Sequence, residues 1–246
     1  MYQFFVKPEN IIGNRIIIDG SDVNHIKNVL RMRIGEEIAV SNGLDGKEYR
    51  CGITRLGDDI VECELRFVKE DAVELPIKIY LFQGFPKGDK NEMIIQKAVE
   101  LGVFEIIPVF MKRSIVKLDA KKAASRVVRY QTIAEAAAKQ SKRAIIPKVH
   151  ECMTMKEAVK YAAEMDMVFV PYELAEDMSH TRAVMESINP GKTVAFFIGP
   201  EGGIDTEEIK MLEEIGATEI TLGRRILRTE TAGLTVLSWL VYLLEQ

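Results

Sequence analysis

The sequence has few of the residue clusters that mark the commoner site chemistries. Its three cysteines, Cys51, Cys63 and Cys152, lie far apart and form no CxxC pair. That spacing excludes the usual structural zinc sites and a disulfide framework, and an odd count of this kind points to a reducing compartment. The three histidines, His25, His150 and His180, stand alone with no HExxH pairing, so no metal site is expected. No serine sits in a GxSxG turn. Neither GxGxxG nor GxxxxGK[ST] occurs, which argues against a Rossmann dinucleotide site and a P-loop NTPase. No apolar run is long enough to span a bilayer, the longest being about half a span at residues 234–244. The opening stretch, MYQFFVKPENIIGNRIII, lacks the basic and then apolar pattern of a secretory leader. The expectation is a cytoplasmic protein without metal or membrane partner.

What is present is an ordinary globular composition. The 246 residues are 47% hydrophobic and 28% charged, enough to bury a sizeable core in one large or two smaller domains. The net charge of −4 is unevenly distributed. Residues 112–148 hold eleven Lys and Arg against Asp119 and Glu135, a local +9 that leaves −13 on the rest. A basic stretch on an acidic background suits a localised phosphate-binding face, though a solvated helical face reads the same.

Two rhythms divide the chain. Up to about Val68, short strands (QFFV, RIIID, EEIAVSNG, KEYRCGIT, IVECELRFV) alternate with turn signals, with a hairpin at Asn42-Gly43 and Asp45-Gly46. One short helix interrupts them, with Ser21 or Asp22 as its cap ahead of His25 to Leu30. This predicts a small β-barrel over residues 1–70. KEDAVELP, from Lys69 to Pro76, reads as a linker. From residue 71 to 246 strands and helices alternate: IKIYLFQG, a helix from Asn91 to Leu101 stopped by Gly102, EIIPVF, a helical stretch from Ala120 to Lys142, MVFVPYE, KTVAFFIGPEGG, a helix opened by an Asp205/Glu208 capping box, TEITLG, and a last helix from Thr229 to Leu244. Alternation of this kind implies an α/β domain with a mainly parallel sheet covered on both faces.

Two loops carry more chemistry than a plain turn needs. IGPEGG, residues 198–203, follows an apolar strand and precedes a capped helix, a position where α/β sheets bind ligands. Its glycines let backbone N–H and C=O groups approach a ligand. LGRRILRTETA, residues 222–232, also joins a strand to a helix. There Thr229 is a candidate helix cap, and Arg228 stands where a cation can meet a phosphate or polarise a carbonyl. A third element, GFPKGDK at 84–90, offers Lys87 and Lys90 for phosphate contact. QKAVELG at 96–102 and EAAAKQSKR at 135–143 read equally well as surface ion pairs. His25, Lys27, Arg31 and Arg33 on or after the first short helix face either RNA or solvent.

Taken together and in this order, GFPKGDK, QKAVELGV, EAAAKQSKR, IGPEGG and TLGRRILRTETA closely resemble the RsmE family of 16S rRNA (uracil-N3-)methyltransferases, of the SPOUT superfamily. The resemblance runs over essentially the whole chain, including HIKNVLRMRIGEEI. It implies a PUA-like β-barrel at the N-terminus and an α/β domain with a deep trefoil knot, which periodicity alone would not reveal. It implies S-adenosylmethionine (AdoMet) as cofactor, a homodimer, and a uridine in the decoding region of 16S rRNA of the small ribosomal subunit as target. The cofactor residues it implies are Pro171 and Tyr172; Gly199, Pro200, Glu201, Gly202 and Gly203; and Leu222, Gly223, Ile226, Leu227, Arg228, Thr231 and Ala232. The expected catalytic set is Arg228 with Glu201 or Glu230, between which the sequence does not choose. For RNA contact the expected residues are His25, Arg31, Arg33, Lys87, Lys90, Arg113, Arg143 and Arg224. Two other readings stand beside this one: an assembly factor that binds rRNA without catalysis, and a SPOUT enzyme acting on tRNA or on a ribose 2′-OH.

Overall fold

The structure, a computed structural model, describes residues 1–70, 73–115, 120–175 and 177–245. Contacts divide the chain into two compact units, one of residues 1–74 with 138–146, the other of residues 75–137 with 147–246. Set beside the division at 70/71 read from the sequence, the first unit also takes residues 138–146. Of the expected linker, Asp71 and Ala72 lie outside the described residues.

The first unit is a six-stranded sheet. Its strands are β1 (Gln3–Phe5), β2 (Ile11–Ile12), β3 (Arg15–Asp19), β4 (Glu37–Ser41), β5 (Glu48–Leu56) and β6 (Ile60–Lys69), hydrogen-bonded in the order β1-β4-β5-β6-β3-β2. All pairs are antiparallel except β1 with β4. The predicted β4–β5 hairpin forms, with Asn42 Oδ1 accepting from the N–H groups of Leu44 and Asp45. One core gathers Phe4, Ile16, Ile18, Ile38, Val40, Ile53 and Val61 with Cys51 and Cys63, both free thiols.

The interrupting helix differs from its prediction. Helix α1 (Ser21–Asn24) follows Gly20, whose φ of 68° only glycine adopts readily, and no side chain caps it. It then widens into a π-turn in which Leu30 N–H reaches His25 O at 2.9 Å. That bulge places Ile26 in the core and leaves His25 exposed.

The second unit is a parallel sheet of β7 (Lys78–Gly84), β8 (Glu105–Phe110), β9 (Lys148–Val149), β10 (Met153–Thr154), β11 (Met167–Pro171), β12 (Thr193–Ile198) and β13 (Thr218–Ile220). The strand order is β10-β8-β7-β12-β11-β13, with β9 also on β8, and every pair is parallel. After its first residue, β7 is buried throughout, as a central strand covered on both faces must be. Helices are α2 (Lys90–Glu100), α3 (Ala120–Gln140), α4 (Met155–Ala162), α5 (Met178–Glu186), α6 (Thr206–Glu213) and α7 (Thr229–Leu244).

Residues of α4 and α6 pack on the sheet through a core of Tyr80, Phe82, Phe197, Ala158, Ile209 and Leu212. Phe82 and Phe197 stack there at 4.4 Å between ring centroids. Truncating either ring to alanine would cost about 3–5 kcal/mol. The capping boxes Thr154/Glu157 and Asp205/Glu208 open α4 and α6, and Gly102, at φ 85°, ends α2. Because the strands are parallel, the C-terminal ends of β7, β11, β12 and β13 deliver segments 84–89, 171–172, 199–203 and 221–228 to one edge of the sheet.

Candidate active site

The two loops picked out in the sequence meet at that edge. Thr229, the first residue of α7, is 5% exposed, and its hydroxyl donates to Gly199 O at 2.7 Å. The same hydroxyl accepts from Gln83 Nε2 at 2.9 Å, at the end of β7. Thr229 is therefore not a cap. Arg228, extended at φ −66° and ψ 153°, occupies the N-cap position and supplies no side-chain bond there. A second link is ionic. Lys90 Nζ lies 3.0 Å from Glu201 Oε1 and 3.4 Å from Glu230 Oε2, so one ammonium bridges both loops.

The two loops are built differently. Loop 199–203 is closely held. Gly203 N–H bonds Pro200 O at 2.9 Å, Arg113 donates to Gly202 O at 3.1 Å, and Lys87 N–H donates to Glu201 at 3.0 Å. A Cβ on Gly199 would stand 2.8 Å from the carbonyl carbon of Gly203, and one on Gly84 would stand 2.7 Å from Pro200 Cδ. Only glycine fits at either place. Loop 222–227 is nearly bare. Among the described residues its backbone makes one hydrogen bond, from Gly223 N–H to Thr221 Oγ1 at 3.3 Å. Leu222, Gly223 and Leu227 are nonetheless half-buried. Sheltered backbone groups without partners are uncommon and open to a ligand. Gly223, at φ 101°, has open space where a side chain would be. Beside them lie half-buried Pro171 and Tyr172, the latter tied to β13 by its N–H to Ile220 O at 2.9 Å.

The carboxylates also differ. Burial tends to raise the pKa of Glu201, but hydrogen bonds from the Lys90 ammonium and the Lys87 N–H outweigh it, and the net shift is downward. Lys90 in turn is raised, chiefly by its bond to Glu201. Glu201 is thus an ionised carboxylate already supplied with donors. Glu230 Oε2 is buried and accepts no hydrogen bond among the described residues, although Lys90 lies within ion-pair distance. Its close donor is the Lys90 ammonium, which Glu201 holds at the shorter distance, so this oxygen is the less satisfied of the two.

The remaining expected residues divide into free and engaged. His25, Arg31 and Arg33 are exposed on the first unit, and Lys87, Arg224 and Arg228 on the second, all with side chains open to solvent. Ile226, Thr231 and Ala232 line the same stretch, Ile226 at 87% exposure. Arg143 corrects the expectation of an RNA contact. It is 3% exposed and clamped on Glu74, which also accepts the N–H groups of Ala144 and Ile145. A buried charge with its carboxylate is a structural tie of the first unit. Arg113 is likewise committed, to Gly202 O and to Asp205 at 3.4 Å, and braces the first loop. Lys90 is spent on the two glutamates.

Gln83 was missed. It is a polar residue at the end of an otherwise apolar strand, 2% exposed, and its placement is the signal that it has a job. Thr181 on α5 and Thr221 were missed as well. Thr181 Oγ1 accepts from Thr221 N–H at 2.9 Å, and its one proton faces two carbonyls, Thr221 O at 3.2 Å and Asp177 O at 3.3 Å.

Comparison with known proteins agrees with this geometry. Residues 73–241 match the model of an RNA methyltransferase domain and residues 18–66 that of an RNA methyltransferase PUA domain. The ribosomal RNA small subunit methyltransferase E of Bacillus subtilis is 39% identical over 93% of this chain and 90% of its own. That of Mesomycoplasma hyopneumoniae is 32% identical over 97% and 98%. The crystal structure of the Neisseria gonorrhoeae ribosomal RNA small subunit methyltransferase E bound to S-adenosylmethionine superposes with a TM-score of 0.82, at 32% identity over 99% of this chain and 98% of that one.

Proposed function

From the premise that this chain belongs to the ribosomal RNA small subunit methyltransferase E family, we propose that it methylates 16S rRNA with AdoMet, at N3 of a uridine in the decoding region. The observation that carries the reading is the convergence of loops 199–203 and 222–232, through Thr229 and Lys90, at the C-terminal edge of a parallel sheet. The chain holds an α/β domain of the SPOUT type and a PUA-like sheet. The residues fit the cofactor. The sparsely bonded backbone of 222–227, half-buried at Leu222, Gly223 and Leu227, would hold it, with Tyr172 and the 199–203 loop as walls. Bound there, AdoMet supplies an electrophilic methyl group.

The protein's own task is alignment and charge control. Uracil N3 carries a proton that must leave as the methyl arrives. Glu230 is the residue we assign to accept it, because among the described residues its Oε2 is met by Lys90 alone, at 3.4 Å, whereas Glu201 is filled by both Lys87 and Lys90 at 3.0 Å. Arg228, exposed at the mouth of the loop, stabilises the negative charge that develops on the uracil oxygens. Since N3 is hidden in base pairing, the nucleotide is splayed out before reaction. His25, Arg31, Arg33, Lys87 and Arg224 contact the RNA backbone. The working enzyme is a cytoplasmic homodimer.

Calorimetric titration with AdoMet followed by mass spectrometric mapping of the modified nucleotide tests this. We expect binding, and one methyl group on N3 of one uridine. A protein that binds rRNA but no AdoMet would be an assembly factor, and a methyl on tRNA or on a ribose would replace the assigned target.

A further inference from the structure

The bare loop raises a physical question. Segment 222–227 has almost no hydrogen bonds of its own, so its shape must be set at its ends. Each end is a buried threonine clamp. At the start, Thr181, 1% exposed, sends its hydroxyl from α5 to the backbone of Thr221, accepting from its N–H. At the far end, Thr229 binds both Gln83 Nε2 and Gly199 O. A hydroxyl has one proton to give, so this second clamp has a fixed direction. Gln83 donates to Thr229, and Thr229 donates to Gly199. Gln83 spends its other Nε2 proton on Gly84 O at 2.9 Å, which leaves its Oε1 buried without a partner. A buried acceptor left empty is a cost, and the arrangement keeps it in order to hold the amide in the donating orientation.

We propose that the relay Gln83–Thr229–Gly199 is a positioning device for the cofactor. It fixes the distance between the closely held loop 199–203 and the unbonded cradle 222–227, with Thr181 anchoring the cradle's other end. None of these side chains touches the reacting atoms, and the relay acts through the backbone groups it holds. The proposal rests on the reading of this site as an AdoMet pocket.

The test compares Thr229→Val, which keeps shape and removes the hydroxyl, with Thr229→Ser, which keeps the hydroxyl. Calorimetric AdoMet affinity, RNA affinity and the urea unfolding midpoint are measured for the full chain. Thr229→Val is expected to weaken AdoMet binding about tenfold or more, since two buried groups lose their partner. RNA affinity should stay within about twofold, and Thr229→Ser should bring AdoMet affinity back to within about threefold of the parent. Gln83→Met, which removes the donor from the other side, should weaken AdoMet binding in the same way and serves if Thr229→Val does not fold. A folded Thr229→Val or Gln83→Met with parental AdoMet affinity, changed only in its unfolding midpoint, would reduce the relay to structural support and overturn the proposal. Failure of Thr229→Ser to rescue would also overturn it. Failure of the parent protein to bind AdoMet at all would instead remove the functional reading beneath it.

Discussion

Loop 199–203 and loop 222–227 lie at the same edge of one sheet and are opposites in construction. The first is finished: its turn is closed by Gly203 and Pro200, its carbonyl and carboxylate are taken by Arg113, Lys87 and Lys90, and Gly199 leaves no room for a methyl group. The second is unfinished, a strip of peptide half-buried at Leu222, Gly223 and Leu227 and exposed between them, with one internal hydrogen bond and clamps at its two ends. On the proposed reading, the difference is how a pocket without a glycine-rich phosphate motif would bind a nucleoside. One wall is preorganised, and the other offers unpaired backbone groups that only a ligand completes. On this reading GxGxxG and GxxxxGK[ST] are not needed, because backbone groups can recognise a ligand without a fixed spacing of side chains.

The largest expected effect comes from breaking the finished wall. In Gly84→Ala the new Cβ would meet Pro200 Cδ at 2.7 Å, and Pro200 N and Met111 Sδ at 2.8 Å. Backbone must move, at about 1–3 kcal/mol. Urea unfolding should show that loss and AdoMet titration a severe weakening. An unchanged midpoint with parental affinity would mean that the wall is looser than its contacts indicate.

Next come the groups that act on the substrate. Glu230→Gln removes the assigned proton acceptor and should lower single-turnover methylation by about 10²–10³-fold, with AdoMet affinity nearly kept. Glu201→Gln should cost far less, and equal losses would erase the distinction drawn between the two carboxylates. Arg228→Ala should lower turnover much more than AdoMet affinity. An unchanged single-turnover rate would remove its role.

The smallest effect is one of pH and separates the charged link from the neutral one. The folded pKa of Glu201 lies below its ordinary 4.5. Its contribution is therefore fully present above that value and is lost as the pH falls through the lowered pKa. Acid in that range should release Glu201 from Lys90 and loosen the edge of loop 199–203, while the Gln83–Thr229–Gly199 relay, which does not titrate, holds. High salt should act in the same direction, because Lys90 and Glu201 are each about one-third exposed. In Glu201→Gln this acid sensitivity, read by exchange of the amides at 199–203, should disappear.

Much of this was legible in the sequence where local chemistry decides. β7 ends at Gly84 and β12 runs into Gly199, α2 stops before Gly102, α6 starts at the Asp205/Glu208 box, and α7 spans Thr229–Leu244 as its pattern predicts. The meeting of the two loops followed from their positions after parallel strands. What was not legible depends on partners distant in the chain. Arg143 reads as one more cation of a basic run until Glu74, 69 positions earlier, takes it into the first unit. Gln83 and Thr229 are 146 positions apart, and nothing in either neighbourhood announces the other. Lys90 looked free for phosphate because its two glutamates arrive from separate loops. The π-turn at His25 was hidden for another reason, since its sequence suits an ordinary helical turn.

The most direct measurement is hydrogen exchange, residue by residue, with and without AdoMet. If one wall is complete and the other waits for its ligand, amides of 222–227 exchange rapidly in the free protein and gain strong protection on binding, while the amide of Gly203, already bonded to Pro200 O, changes little. Protection confined to 199–203, or none at 222–227 in a protein that binds AdoMet, would contradict the account.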